Sequence, residues 1–264
     1  MIHTTALVDP KAEIGRDVAI GPYCIVGPHV VLHGRVELKS HVVIEGRTTI
    51  GAETIVFPFA SLGQPPQDLK YKGEHSSLEI GARNRIREYV TMNPGTEGGG
   101  MVTKVGDDGL FMASAHVGHD CILGNHVIMA NNGTLGGHVH LGDYAGIGGN
   151  SAVHQFCRIG AHAWVGGMTG VERDVIPYGQ VMGDRARLIG LNLVGLERGG
   201  IDRDDIQTLR SAYRTLFGPD GTFAERLEEV ARGFSANRFV SEIVEFVRAK
   251  SSRGLCQPAA ANGH

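Results

Sequence analysis

Aliphatic side chains recur every six residues through most of this chain. The first run consists of Ile2, Val8, Ile14, Ile20, Val26, Leu32, Leu38, Ile44, Ile50, Val56 and Leu62, and Ile80, Ile86 and Met92 continue its frame. After a shift of one residue, the second run consists of Val105, Phe111, Val117, Leu123, Met129, Leu135, Leu141, Ile147, Val153, Ile159, Val165 and Val171. Neither the 3.6-residue period of a helix nor the alternation of a simple hairpin gives this spacing. It is typical of short strands that are joined by sharp corners and point their aliphatic side chains inward.

A second signal lies four residues after each aliphatic position. Most residues there are small or β-branched, as at Cys24, Val30, Ala115 and Cys121. Glycine is frequent, at 39 residues, and aromatic residues make up only 6%, which suits tight corners and small interior positions. Three six-residue sides would close a triangular coil, so that residues about 18 apart lie one above another at ~4.8 Å. We therefore predict a parallel β-solenoid over residues 1–184.

Two segments interrupt the six-residue period, namely residues 64–79 and residues 93–103. The first has the sequence QPPQDLKYKGEHSSLE, and the second, NPGTEGGGMVT, is rich in glycine. We expect both segments to loop out of the solenoid. Binding residues are often found on such excursions from a rigid scaffold.

Helical signals replace the six-residue period after residue 184. Asp202 is placed to cap a first helix, and Thr222 and Glu225 form a capping box before another apolar pattern. These signals predict a small helical domain over residues 185–254. The polar, alanine-rich residues 255–264 are expected to form a disordered tail.

Charge and hydropathy exclude several classes of protein. The net charge of -3 gives no global basic signature for nucleic acid. The first residues, MIHTTALVDPKAEIG, lack the features of a secretory signal, and no segment reaches the ~20 apolar residues of a membrane span. We expect a cytoplasmic protein without membrane insertion. The four cysteines show no CxxC spacing, which argues against a zinc ribbon.

The heptapeptide AHVGHDC, residues 115–121, concentrates reactive side chains. Its register turns Cys121 inward as a packing residue, and the same holds for Cys24 and Cys157, so none is expected to act as a nucleophile. His119 and His116 should point outward. With about 18 residues per coil, His119, His138 and His154 should share one outer face of the solenoid. Two interpretations stay open: a zinc site, or acid/base chemistry in which His119 is the base and Asp120 or a carbonyl fixes its tautomer.

Several motifs resemble those of a known family. They are IGPYCIVGPHV, LKSHVVIEG, QDLKYKGE, AHVGHDCILGN, GGHVHLGDYAGIGG, AVHQFCRIGAH, VGGMTGV and the late RGL. Over essentially its whole length the chain resembles the bacterial UDP-N-acetylglucosamine O-acyltransferases of lipid A synthesis. The resemblance implies a left-handed parallel β-helix followed by helices, and a homotrimer with active sites in the clefts between subunits. It implies no cofactor and no metal.

The resemblance also implies roles for individual residues. His119 would be the general base that takes the proton from the sugar 3-hydroxyl as this oxygen attacks a 3-hydroxyacyl thioester on acyl carrier protein. Asp120 would orient His119, and the backbone N–H of Gly137 would hold the oxyanion. The remaining matches are His116, His138, His154 and Gln155 around the sugar and acyl chain, Asp68 and Lys70 at the nucleotide sugar, Asn192 and Arg198 near the uridine, and Gly167 at the end of the acyl chain.

This sequence also departs from the family's pattern. Val194 and Gly199 replace an acidic and a basic residue, and Asn93-Pro94 replace His-Arg. The acceptor is therefore either UDP-N-acetylglucosamine or its 3-amino analogue. Gly167 is either an open end of the acyl pocket, suggesting a longer chain, or an ordinary corner glycine. Candidates for docking the acidic carrier protein are Arg173, Arg185, Arg187, Arg198, Arg203 and Arg210.

Three other readings stand beside the acyltransferase. A zinc-dependent lyase resembling the hexapeptide-repeat carbonic anhydrases would use His116, His119 or His138 as ligands, and a non-catalytic scaffold would bind carrier protein or nucleotide sugar without turnover. The related N-acyltransferase of the same pathway carries an extra domain before its repeats, whereas here the repeats begin at Ile2.

Overall fold

The chain winds into a prism of three parallel β-sheets, as described by a computed structural model that covers residues 1–259. Its strands are β1 (Leu7–Val8), β2 (Glu13–Ile14), β3 (Ala19–Ile20), β4 (Ile25–Val26), β5 (Val31–Leu32), β6 (Glu37–Leu38), β7 (Val43–Ile44), β8 (Arg47–Ile50), β9 (Ile55–Val56), β10 (Ser61–Leu62), β11 (Ser77–Ile80), β12 (Arg85–Ile86), β13 (Thr91–Met92), β14 (Val102–Val105), β15 (Leu110–Phe111), β16 (His116–Val117), β17 (Ile122–Leu123), β18 (Ile128–Met129), β19 (Thr134–Leu135), β20 (His140–Leu141), β21 (Gly146–Ile147), β22 (Ala152–Val153), β23 (Arg158–Ile159), β24 (Trp164–Val165), β25 (Gly170–Val171), β26 (Gly179–Met182) and β27 (Arg187–Leu191).

Consecutive strands belong to different sheets, so three strands make one coil. Sheet I contains β1, β4, β7, β10, β13, β16, β19, β22 and β25; sheet II contains β2, β5, β8, β11, β14, β17, β20 and β23; sheet III contains β3, β6, β9, β12, β15, β18, β21, β24, β26 and β27. Leu7 pairs with Ile25, and Ile122 pairs with His140, so equivalent positions are 18 residues apart. The predicted solenoid and its coil length are confirmed.

The core is the interior of this prism. In-frame aliphatic residues such as Ile50 and Leu135 have no exposed surface, and neither do residues at the position four further on, such as Val36 and Cys121. Each fully buried aliphatic side chain contributes about 1.5–3 kcal/mol through removal from water. The stacked ladders of these side chains therefore provide the main stabilisation of the prism.

At the corners of the prism, one position allows close approach between coils and another makes the left-handed turn. Glycine directly follows many in-frame aliphatics, and at Gly21 an added Cβ would lie 2.3 Å from the Lys39 carbonyl oxygen of the next coil. The left-handed turn is made two residues later by residues with side chains, for example Tyr23 with φ 59°. Glycine is thus needed here for close approach between coils, and it does not supply the positive φ.

Each excursion is shorter than predicted. Residues 64–76 leave the first frame, but residues 77–79 belong to β11, where the side chain of Leu78 is fully buried. Likewise, residues 93–101 loop out, and Thr103 is buried within β14. In both cases the strand begins three residues before the in-frame aliphatic, and its alternation buries a second side chain two residues before that aliphatic.

The solenoid also extends beyond the predicted boundary at residue 184. Strand β27 pairs antiparallel with β26 and prolongs sheet III to Leu191. The six-residue period gives no signal for it, because this strand turns back along β26 in place of starting another coil. The helices that follow are α1 (Leu193–Arg198), α2 (Arg203–Leu216), α3 (Phe223–Gly233) and α4 (Arg238–Arg248), and a short 3-10 helix (Glu97–Gly99) lies in the second excursion.

Two expectations about the C-terminal part have different outcomes. The Thr222–Glu225 capping box is present, whereas Asp202 occupies the N-cap position of α2 without a side-chain hydrogen bond. The predicted disorder from residue 255 is wrong for Leu255 and Cys256, because Leu255 bridges to Asp174 and Cys256 is buried. Residues 260–264 of that predicted tail lie outside the described residues. Among the helices described, none is long and apolar enough to cross a membrane.

Candidate active site

The heptapeptide at residues 115–121 turns the corner between sheets I and II. Its cysteine points inward as predicted: Cys121 has no exposed surface, and its thiol donates to the Gly136 carbonyl oxygen at 3.1 Å. Burial raises the pKa of the Cys121 thiol to about 12. A thiol in this environment stays protonated and unreactive near neutral pH.

His119 and Asp120 form a hydrogen-bonded pair at this corner. The distance from His119 Nδ1 to Asp120 Oδ2 is 2.7 Å. The Asp120 side chain has 0% exposed surface and the His119 side chain 13%, so the acid is enclosed and the imidazole reaches the surface. Because a carboxylate only accepts hydrogen bonds, Nδ1 carries the proton and Nε2 presents a lone pair. His119 is therefore in the tautomer that a general base requires.

The second excursion encloses the Asp120 carboxylate. Thr96 donates to it twice, from its backbone N–H at 2.9 Å and from Oγ1 at 2.6 Å, and the Asp120 N–H donates to Thr103 Oγ1 at 2.8 Å. An added Cβ on Gly99 would lie 2.0 Å from the carboxyl carbon of Asp120. Sequence reasoning missed Thr96, Gly99 and Thr103. The glycine-rich composition predicted a loop but did not indicate the side of the prism on which it folds.

Gly137 lies one coil above His119. An added Cβ would be 2.5 Å from His119 Nε2, so a side chain at this position would displace the imidazole. Within residues 1–259, the Gly137 amide donates to no protein acceptor. The resemblance assigned Gly137 to the oxyanion, and the structure places its backbone beside the lone pair of His119.

His138 and His116 flank the pair. His138 meets the His119 ring edge-on at a centroid distance of 5.0 Å and stacks on Phe156 at 4.4 Å. His116 shares a hydrogen bond of 2.7 Å between its Nδ1 and Thr91 Oγ1. Burial lowers the pKa of both His116 and His138 below the usual range, although the nearby carboxylates of Asp120 and Asp68 partly oppose this for His138. Both rings are consequently neutral near pH 7.

His154 and Gln155 lie on the same corner of the next coil, and both are exposed. The predicted shared face of His119, His138 and His154 is therefore present. The three histidines do not form one strict 18-residue column, however. The residue 18 after His138 is Phe156, which stacks on the His138 ring, and the position two coils above His119 is occupied by Gln155. Sequence reasoning did not single out Phe156.

The ligand atoms of His119, Asp120 and His138 lie within 4.8 Å of one another, a spacing at which they could share a metal ion. His138 Nε2 is 3.9 Å from Asp120 Oδ2. His119 Nδ1 already donates to that same oxygen, so His119 could bind an ion only through Nε2 unless Nδ1 lost its proton.

The other predicted site residues lie at three places on the chain. Asp68 and Lys70 lie in the first excursion, and Asp68 is close enough to His138 to raise the pKa of that ring slightly against the effect of burial. Gly167 lies at the corner between sheets III and I. Asn192 and Arg198 line a cavity of about 430 Å³ beside sheet III. A single chain therefore does not bring Gly167, Asn192 or Arg198 to the corner that holds His119.

The residues that depart from the family's pattern also have defined positions. Asn93 is buried, and its Nδ2 donates to the Gln64 carbonyl oxygen at 3.0 Å, which ties the two excursions together. Val194 and Gly199 line the cavity of Asn192 and Arg198, and residue Val194 is 59% exposed. Asn192 itself caps α1 and donates to the His162 carbonyl oxygen at 2.9 Å.

Comparisons with known proteins identify the family. Residues 174–256 match the model described as UDP N-acetylglucosamine O-acyltransferase, domain 2. The acyl-(acyl-carrier-protein)–UDP-N-acetylglucosamine O-acyltransferase of Rickettsia typhi is 52% identical over 97% of this chain and 97% of its own length. The chain belongs to the UDP-N-acetylglucosamine O-acyltransferase family. The member from Caulobacter vibrioides is 53% identical over 97% of this chain and 98% of its own length.

Solved structures of family members agree over the whole fold. The UDP-N-acetylglucosamine acyltransferase of Francisella novicida superposes with a TM-score of 0.94 at 34% identity and covers 100% of both chains. That of Campylobacter jejuni has a TM-score of 0.92 at 35% identity, covering 97% of this chain and 99% of its own. The prism is thus the left-handed parallel β-helix of the family, and this membership does not favour the zinc-lyase reading.

Proposed function

We propose that this protein transfers a 3-hydroxyacyl chain from acyl carrier protein to the 3-position of UDP-N-acetylglucosamine or its 3-amino analogue, the first step of lipid A synthesis. The observation that carries the proposal is the His119–Asp120 pair, in which a fully enclosed carboxylate fixes the tautomer of a partly exposed imidazole. Relatives at about half identity and full length carry the name of this activity.

The reaction proceeds by direct transfer. His119 Nε2 takes the proton from the sugar 3-hydroxyl, and that oxygen attacks the thioester carbonyl carbon. The tetrahedral intermediate then expels the thiolate of the carrier's arm, which takes the proton back from His119 and leaves as a thiol. Asp120 stabilises the imidazolium that forms between these steps. No acyl-enzyme is needed, which is consistent with the inward, high-pKa thiol of Cys121.

Two backbone and side-chain features support the intermediate. The Gly137 amide lies beside His119 and is available to donate to the oxyanion, where one such donor is worth roughly 10²–10³ in rate. His116 and His138 are neutral because burial lowers the pKa of each, so they act as hydrogen-bonding groups around sugar and acyl chain and place no positive charge there. Asp68, Lys70, His154 and Gln155 would complete the contacts to substrate.

A second subunit would supply the rest of the cleft. Asn192, Arg198 and Gly167 lie away from the His119 corner of their own chain, so they can contribute to this site only from a neighbour. This placement supports an assembly in which a neighbouring subunit completes each cleft, and we propose the homotrimer that the family resemblance implies, working in the cytoplasm. At Gly167 an added Cβ would make an ordinary van der Waals contact with the Gly149 carbonyl oxygen at 3.4 Å, so a side chain would fit there, and its absence favours a longer acyl chain.

The test is a transfer assay with a panel of 3-hydroxyacyl carrier proteins and both sugars, read by the mass of the ester or amide product. We expect His119→Ala to lose transfer and His33→Ala, an exposed histidine outside the site, to retain it. Transfer to neither sugar by the unaltered protein would contradict the proposal, and binding without turnover would favour the scaffold. Stoichiometric zinc, with activity abolished by a chelator, would favour the lyase.

A further inference from the structure

The C-terminal segment places an arginine at the active-site corner. Arg253 belongs to the late RGL motif, which the proposed reaction does not use. Its Nε donates to the Gln155 carbonyl oxygen at 2.7 Å, and its guanidinium carbon lies 5.8 Å from the centroid of the Phe156 ring. Phe156 in turn stacks on His138, which meets the His119 ring. Arg253 therefore continues the column of side chains that begins at the catalytic pair.

The neighbouring residues fix the position of Arg253. The Asp174 N–H donates to the Gly254 carbonyl oxygen at 2.8 Å, and the Cys256 N–H donates to the Asp174 carbonyl oxygen at 2.8 Å. Gly254 has φ +66°, a left-handed conformation that glycine adopts without strain, and the next residue, Leu255, pairs in parallel with Asp174. Asp174 is fully buried and accepts from Arg158 Nε at 2.7 Å. These bonds hold the segment against the last coil of the solenoid.

Among residues 1–259, only the Nε atom of the Arg253 guanidinium has a hydrogen-bond partner. Across residues 1–259, its two terminal nitrogens make no hydrogen bond, and no carboxylate lies within 4.0 Å of it. The side chain is half-buried, which reduces screening by water. A guanidinium anchored at Nε with both terminal nitrogens free presents the fork that suits a phosphate group.

The height of Arg253 above the base distinguishes between two phosphate groups. Arg253 Nε bonds to Gln155, two coils above His119. The guanidinium carbon follows the rings of His138 and Phe156 at successive distances of 5.0, 4.4 and 5.8 Å, so it lies about 10–15 Å from the base. The diphosphate of a nucleotide sugar is only a few bonds from the 3-position that reacts. The phosphopantetheine arm of a carrier protein separates its thioester from its phosphate by roughly the length of five extended residues, about 17 Å. The donor's arm is therefore long enough to place its phosphate at Arg253 while its thioester reaches His119.

We propose that Arg253 binds the phosphate of the phosphopantetheine arm that delivers the acyl chain. This inference rests on the proposed acyltransferase activity. It assigns the C-terminal end of the cleft to the donor, with the arm lying along the column formed by Phe156 and His138 while its thioester reaches His119.

The experiment compares two small donors, 3-hydroxyacyl-phosphopantetheine and 3-hydroxyacyl-pantetheine, which differ only in the phosphate. For Arg253→Gln we expect kcat/KM to fall by about 10- to 100-fold with the phosphorylated donor and to stay unchanged with the other. The KM for the nucleotide sugar should also stay unchanged. Arg253→Lys should recover part of the loss, because it keeps the charge but not the fork. The matched control is Arg248→Gln on α4, which removes an exposed ion pair with Glu228 of α3.

Three outcomes would overturn the proposal. An equal loss with both donors would make Arg253 a positioning residue that acts through Phe156. A rise in KM confined to the nucleotide sugar would assign the guanidinium to the diphosphate, and unchanged kinetics would remove any role in binding. Thermal unfolding of each variant shows whether it folds. If the unaltered protein transferred no acyl group from any donor, the proposed function itself would fail, a result distinct from the three above.

Discussion

Replacing Asp120 by asparagine tests the chemistry of the site at almost constant volume. In the native site Oδ1 accepts from the Thr96 N–H at 2.9 Å, and Oδ2 accepts from His119 Nδ1 at 2.7 Å. If the amide oxygen keeps the bond to the Thr96 N–H, the amide nitrogen must face His119. Because that nitrogen only donates, His119 would shift its proton to Nε2 and lose the lone pair that serves as the base.

The expected size of the effect follows from these contacts. If His119 returned to the productive tautomer in the variant, its Nδ1–H would face the N–H of the new amide. Leaving these two buried donors without acceptors costs about 1–3 kcal/mol. Losing the charge that stabilises the imidazolium removes about another 1.5–3 kcal/mol, the worth of a hydrogen bond to a charged group. At about 1.4 kcal/mol per tenfold change, kcat should fall by about 10²- to 10⁴-fold.

The assay is steady-state transfer at saturating sugar and carrier protein, with thermal unfolding to establish that the variant folds. Asp107→Asn is the matched control, since Asp107 also accepts a backbone N–H at a corner, from Ala82 at 2.8 Å, but lies outside the site. A kcat for Asp120→Asn within threefold of the unaltered protein would refute the assignment of His119 as a base oriented by Asp120.

Three further changes have defined expectations. Gly137→Ala should lower kcat by about 10²-fold, because its Cβ would displace His119, and a normal kcat would contradict the close approach. Burial lowers the pKa of His116 and His138, so as pH drops these side chains take up protons in the unfolded chain before they do so in the folded one. The free energy of unfolding should therefore fall as pH drops below about 6.5 and level off below the folded pKa values. Denaturant unfolding at several pH values should show a smaller fall when both histidines are replaced by glutamine. Cys121→Ala should retain transfer, and iodoacetamide should leave the native protein active, because a buried thiol with a pKa of about 12 is unreactive; rapid inactivation through Cys121 would contradict this.

The repeat made most of the fold predictable from the sequence. A six-residue period has one simple structural solution, and the inward positions of Val36, Ile50 and Cys121 follow from it. The strand at 187–191 did not follow, because it is antiparallel and leaves the period. Leu255 and Cys256 were also missed, since their order depends on contacts with Asp174, far away in sequence.

Prediction of the site was limited in the same way. Register alone turned His119 outward and placed His138 near it, because both lie on the repeating frame. The enclosure of Asp120 by Thr96 depends on how a glycine-rich loop folds, and local sequence does not encode that direction. Arg253 reaches the corner only through the packing of the C-terminal segment, so no periodic signal could reveal it.

The enclosed carboxylate of Asp120 makes one corner of the prism chemically different from the equivalent corners of the other coils. At another corner of the prism, His126 and His162 occupy the left-handed position that Asp120 holds at the active-site corner, and each stacks on Tyr144. Neither of these two rings has a hydrogen-bonded carboxylate partner in the part of the chain that the structure describes. A scaffold with translational symmetry offers many equivalent places for a base, and the aperiodic loop carrying Thr96 breaks that symmetry at a single level. Transplanting the histidine by one coil would therefore reproduce its backbone geometry without its reactivity.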